Sequence, residues 1–221
     1  MCFHKDMKIM TNEPKIRNAI LVNEFTEFGV KSFKSDFDEL NSGLMPIIPI
    51  FIDSFGGEIY SLLAMLDIIS TSTKPVATIA LGKAMSCGSI LLACGTPKFR
   101  FVGPHSTVMI HDAATFSFGK IEDLKADVGE AERLNHKIFD LLNEKCNKPK
   151  GHFQSKVAEK KHVNWYLDST EVIKNGLADH VGIPVIDSLF NLDIVSLPNA
   201  KNVKKSTKST ASKTKTKTKK K

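Results

Sequence analysis

Three short stretches hold residues that could do chemistry together. In "LGKAMSCGSILLACG", residues 81–95, Ser86 stands where an apolar strand-like run meets an apolar helix-like run. A serine on such a sharp turn presents its hydroxyl, and the N–H groups that open the helix have no intrahelical acceptor. Those donors, reinforced by the helix dipole, suit a developing oxyanion. Read alone, the serine is more simply a helix cap. In "DSFGGEI", residues 53–59, two adjacent glycines let backbone approach a ligand with no Cβ in the way, and alone they make a tight turn. In "STVMIHD", residues 106–112, His111 ends a strand, where it serves either as general base or as a structural histidine.

These residues need a scaffold, and the chain supplies one. "NAILV" at 18–22 and "MPIIPIFIDS" at 45–54 read as buried strands, and the segment between them spaces its apolar residues at helical intervals. "IYSLLAMLDIISTS" reads as a helix that ends before Pro75. "PVATIALG", "KFRFVG" and "STVMIHD" read as strands and "SCGSILLACG" as a helix. This alternation predicts an α/β fold with helices packed on sheet layers. Further on, Ile121, Leu124, Val128, Ala131, Leu134, Ile138 and Leu141 recur every three or four residues. They form one stripe on a helix of about seven turns, stopping ahead of Pro149. Such a stripe packs either on another subunit or within its own, and periodicity does not choose.

Composition bounds the rest. With 221 residues, 42% of them apolar, the chain can bury one sizeable core, and one domain is expected. The net charge of +7 is unevenly placed: residues 201–221 hold ten of the 31 basic side chains and no acid. The other 200 residues carry 21 basic and 24 acidic groups, so the body is mildly acidic. The Lys-, Thr- and Ser-rich end cannot offset the entropy of ordering and reads as a disordered tail. It is either a solubilising tail or an attachment to nucleic acid or an acidic surface. Cys2, Cys87, Cys94 and Cys146 show no C-x-x-C spacing, so a structural zinc site is not expected. There is no apolar signal core, and "LMPIIPIFI" is too short to span a bilayer. The expectation is a cytoplasmic protein with reduced thiols and no membrane partner.

Taken together, the motifs resemble the Clp protease proteolytic subunit (ClpP) family of self-compartmentalising serine peptidases. That family's glycine pair, its G-x-A-x-S-x-G-[SA] turn and its P-x-S-x-x-M-I-H strand appear in order as "DSFGGEI", "GKAMSCGS" and "PHSTVMIH". The gaps of 29 residues from Gly57 to Ser86 and 25 from Ser86 to His111 look like the family's own. A late E-x-x-x-x-G-L-x-D, Glu171 to Asp179, matches as well, and the resemblance covers about residues 18–183. It implies a ClpP/crotonase-like α/β superhelix of stacked ββα turns with a projecting long helix. Ser86 would be the nucleophile and His111 the base, with the backbone N–H groups of Gly57 and Cys87 as oxyanion hole. The helix at about 120–146 would be the handle through which homo-oligomeric rings pair. The implied activity is a serine endopeptidase acting on peptides or unfolded protein segments, with no cofactor and no metal. The alternative is a catalytically impaired paralogue that serves as a ring-forming scaffold or assembly subunit.

Two departures from the family pattern follow. The third triad member, an aspartate ahead of [FYW]-[LM]-[ST], is Asn164 here, in "VNWYLDSTE". Of the nearby carboxylates, Asp168 reads as a helix cap. Asp112, directly after the histidine, is expected to point to the opposite strand face. Residues 1–17 form only a short lead before the first strand, which puts docking on an ATPase unfoldase in question. The expected layout is this lead, a peptidase domain at 18–197 and a tail at 198–221.

Overall fold

The computed structural model describes residues 18–186 and 192–195, with side chains described through 186. The expected lead and tail lie outside these residues. The elements run β1 (Ile20–Val22), α1 (Glu27–Ser42), β2 (Ile48–Ser54), α2 (Ile59–Ser70), β3 (Val76–Met85) and α3 (Cys87–Ala93). They continue with β4 (Arg100–Val102), β5 (Thr107–Ile110), α4 (Ile121–Lys145), α5 (His152–Glu159), β6 (Trp165–Leu167) and α6 (Ser169–Asn175). The last are β7 (His180–Val181), β8 (Ile183–Ile186) and β9 (Leu192–Val195). Strands and helices alternate singly as far as α3, and β4–β5–α4 is a ββα unit.

The expected α/β class is the observed one. Among the described residues, seven strands form one sheet with β1-β2-β3-β4-β7 in parallel order. Antiparallel β8 and β9 form a separate pair. The long strand β3 serves two neighbours in turn. Its first half pairs with β4, Thr78 opposite Arg100, and its last residues pair with β5, Met85 opposite Met109. Gly82 sits between the two halves at φ +65°, a left-handed conformation that glycine adopts without a Cβ clash. The sequence reading stops this strand at Gly82, but "KAM" continues it because β5 offers a second set of backbone partners.

Strands β2, β3 and β5 run parallel, so all three end at one edge of the sheet. Their C-terminal residues lead into the glycine pair, Ser86 and His111 respectively. Parallel sheets place ligand sites at this edge for the same geometric reason.

Alternation within β2 and β3 divides the core. Ile48, Ile50 and Ile52 face the helices, where they meet Phe33 and Phe37 of α1, Leu62 of α2 and the wholly buried α3. Ile79 and Ala77 face the other way and pack with Ile47 and Phe101. Arg100 ties the helix ends to the sheet. Its Nη1 donates to the carbonyls of Lys145 at 3.1 Å and Gly176 at 3.0 Å, and to Ala93 at 3.4 Å. One cation thus meets the negative ends of α4, α6 and α3. Asp179 balances it through Nε at 2.9 Å and Nη2 at 2.5 Å.

The stripe on α4 is used in two ways. Leu134 and Ile138 are buried against the body, together with Phe139 and Leu142. Ile121 and Val128, earlier on the same helix, are 71% and 52% exposed. Among the described residues, no helix is long and apolar enough to cross a membrane.

Candidate active site

Ser86 leaves β3 and opens α3 with φ 53° and ψ −120°. Few non-glycine residues rest there, and the neighbours hold it. Its N–H donates to the Met109 carbonyl at 2.9 Å, and the Ser89 hydroxyl donates to its carbonyl at 2.7 Å. The side chain makes no capping bond to α3. Instead, Ser86 Oγ lies 2.9 Å from His111 Nε2. The cap reading therefore fails, and the hydroxyl is left for the imidazole.

His111 is half-buried at the end of β5. Burial pushes its pKa below the ordinary imidazole value, against the opposing pull of the Asp112 charge. At neutral pH the ring is neutral, so Nε2 can accept the Ser86 proton.

The glycine pair closes the other side. Gly57 has φ +152° and forms an isolated bridge to Phe25; a Cβ on it would fall 2.5 Å from the Phe25 carbonyl oxygen. A Cβ on Gly56 would fall 2.6 Å from Ser86 Cβ. Side chains are excluded at both positions by backbone and by Ser86 itself. Among the described residues, the amides of Gly57 and Cys87 donate to no carbonyl, and both residues line one cavity of about 120 Å³ with Ser86 and His111. Its apolar wall comes from Ile90, Ile110 and, on α4, Ile138, Phe139 and Leu142. The Cys87 thiol is buried, donates to the Gly57 carbonyl at 3.3 Å, and is pushed up to about 11 by burial. It is a neutral thiol, not a competing nucleophile.

Asn164 immediately precedes β6. Extending the antiparallel β5–β6 register, in which Ile110 pairs with Trp165, brings it opposite His111. Its side chain is exposed, and its amide donates to the Tyr166 hydroxyl at 3.3 Å. No hydrogen bond joins it to His111 among the described residues. Asp168 caps α6 in a reciprocal box with Glu171, as its place in the sequence predicts. Asp112 departs from expectation. Strand β5 stops at Ile110, so strand alternation no longer orients it, and it lines the same cavity as Ser86 and His111. Asn135 and His162, which hold Asp112, belong to no motif and are visible only in three dimensions. Among the described residues, no group of three His, Cys, Asp or Glu side chains is placed to hold a metal ion.

A serine and a histidine joined at the C-terminal edge of a parallel sheet, beside two amides that donate to no carbonyl among the described residues, form an arrangement suited to acyl transfer. The sequence matches the family model for Clp protease over residues 44–184. It is also similar to the ATP-dependent Clp protease proteolytic subunit of Deinococcus radiodurans, with 32% identity over 134 residues. That match covers 61% of this chain and 64% of the relative, just under two thirds of the relative's length. The chain belongs to the Clp protease family.

Proposed function

We propose that this chain is a serine endopeptidase cleaving peptides or unfolded protein segments through an acyl-enzyme on Ser86. The observation that carries the reading is the 2.9 Å contact between Ser86 Oγ and His111 Nε2. As Ser86 Oγ attacks the scissile carbonyl carbon, His111 Nε2 takes the hydroxyl proton and passes it to the departing amine. Water, deprotonated by the same nitrogen, then attacks the ester; the carboxylate leaves and Ser86 recovers its proton. The Gly57 and Cys87 amides are assigned to the oxyanion formed in each half. The apolar wall beside Ser86 fits an apolar substrate side chain next to the scissile bond. Asn164 is assigned to receive the His111 Nδ1–H once its side chain turns from Tyr166; an amide oxygen can fix the tautomer without supplying charge. Hydrolysis itself uses no ATP. An ATPase, which the relative's name implies for that protein, would act here only in delivering substrate.

The exposed start of α4 supports assembly into rings, with Ile121 and Val128 in the subunit contact. A second reading, a ring-forming scaffold without turnover, is favoured by one observation: the Asn164 amide is given to Tyr166 and not to His111.

A fluorophosphonate probe separates the two readings. Intact-mass analysis should show one adduct on the wild type and none on Ser86→Ala. The labelling rate should fall as pH drops through a midpoint below about 6.5, the ordinary imidazole value, because burial disfavours the imidazolium. A folded wild type that takes no adduct supports the scaffold.

A further inference from the structure

We infer that Asp112 is the carboxylate that serves His111: a positioning residue whose charge favours the imidazolium formed as Ser86 gives up its proton. The inference rests on the Ser86–His111 reading above and adds a residue to it. Both Asp112 oxygens are held from distant segments. Asn135 of α4 donates its side-chain N–H to Oδ1 at 3.1 Å, and His162, ahead of β6, places Nδ1 2.6 Å from Oδ2. The other end of the Asn135 amide accepts the Ala113 N–H at 2.8 Å. One side chain of α4 therefore spans the carboxylate and the backbone that follows it, so the segment after His111 cannot swing away. His162 is kept over Asp112 by a turn in which Lys161 and His162 both have positive φ, 59° and 57°. Two consecutive residues in that region carry a backbone cost that tertiary contacts must sustain.

The remaining candidates for the charge are otherwise engaged. Asn164 has none, and Asp168 is occupied by the α6 cap. Asp112 lines the cavity with His111, and its field acts on the ring against burial. Of the titratable side chains that line this cavity with His111, Asp112 is the carboxylate and Cys87 is a neutral thiol, while His162 reaches Asp112 from the turn ahead of β6. An opposite charge in the same cavity as a half-buried imidazole raises its proton affinity. A third-residue aspartate likewise stabilises the imidazolium through its charge.

The test measures fluorophosphonate labelling rate against pH for the wild type, Asp112→Asn and Asn135→Ala, with folding checked by circular dichroism. Asp112→Asn keeps the shape and removes the charge. It should slow labelling about tenfold at neutral pH and move the acid-limb midpoint about one unit lower. Asn135→Ala frees one carboxylate oxygen without changing any charge, and should slow labelling about threefold with a smaller shift in the same direction. If Asp112→Asn does not fold, Asn135→Ala decides alone. A labelled wild type with unchanged rate and midpoint in the folded variants overturns this inference and leaves the peptidase reading standing. An unlabelled wild type overturns both.

Discussion

At the scale of single residues, Ser86 depends on a neighbour that has no side chain. Gly56 has φ +106°, and a Cβ there would lie 2.6 Å from Ser86 Cβ and 3.0 Å from the Met85 carbonyl oxygen. Neither contact can relax by rotating a flexible side chain, because one partner is a Cβ and the other is backbone. Gly56→Ala should therefore push Ser86 off its strained turn and away from His111. We expect loss of fluorophosphonate labelling and about 2 kcal/mol of lost stability in urea unfolding. Normal labelling by this variant would mean that the turn is more adaptable than its contacts imply. The serine stays unstrapped to α3 because its hydroxyl lies against His111, while the Ser89 hydroxyl donates to the Ser86 carbonyl.

Among the elements, α4 links site to surface. Its later turns bury Leu134, Ile138 and Leu142 and form one wall of the cavity, while its first turns carry Ile121 and Val128 into solvent. Phe116 and Phe118, just ahead of it, are almost fully exposed as well. A charge at Leu134 would damage the subunit's own core, so it cannot report on assembly. Ile121→Glu avoids that core. If the proposed ring contact runs through these turns, it should shift the complex to smaller species by light scattering while leaving the circular dichroism spectrum intact. An unchanged mass would place the subunit contact elsewhere.

For the molecule as a whole, the Arg100–Asp179 pair joins the sheet to the ends of three helices. Burial raises the Asp179 carboxyl, but the Arg100 hydrogen bonds and charge, with the amides of Lys98 and Arg100, outweigh it and hold the carboxyl below its ordinary range. The resulting stability is present above the ordinary carboxylate range and is lost as pH falls through the lower, folded value. Asp179→Ala leaves Arg100 mostly buried with its charge unbalanced. It should cost about 3 kcal/mol at neutral pH in urea unfolding and flatten the acid side of the stability profile. Wild-type stability in this variant would show that the three carbonyls suffice to hold the guanidinium.

Much of the candidate site is legible along the chain because its parts are local. A glycine pair after a strand, a serine between strand and helix, and a histidine ending a strand are each set by short-range sterics and burial periodicity. Each alone has a plainer reading, and it is the family resemblance in their order and spacing that singles out Gly57, Ser86 and His111. The alternation of strands and helices is legible for the same reason, as is the length of α4. Which half of the α4 stripe is buried is not, since both halves share one periodicity and only docking on α3 and α5 separates them. The partners of Asp112 come from 23 and 50 residues away, and Arg100 meets carbonyls contributed by three separate helices. Local sequence determines backbone conformation and apolar faces. The pairing of polar side chains across such distances follows only from how the rigid elements dock.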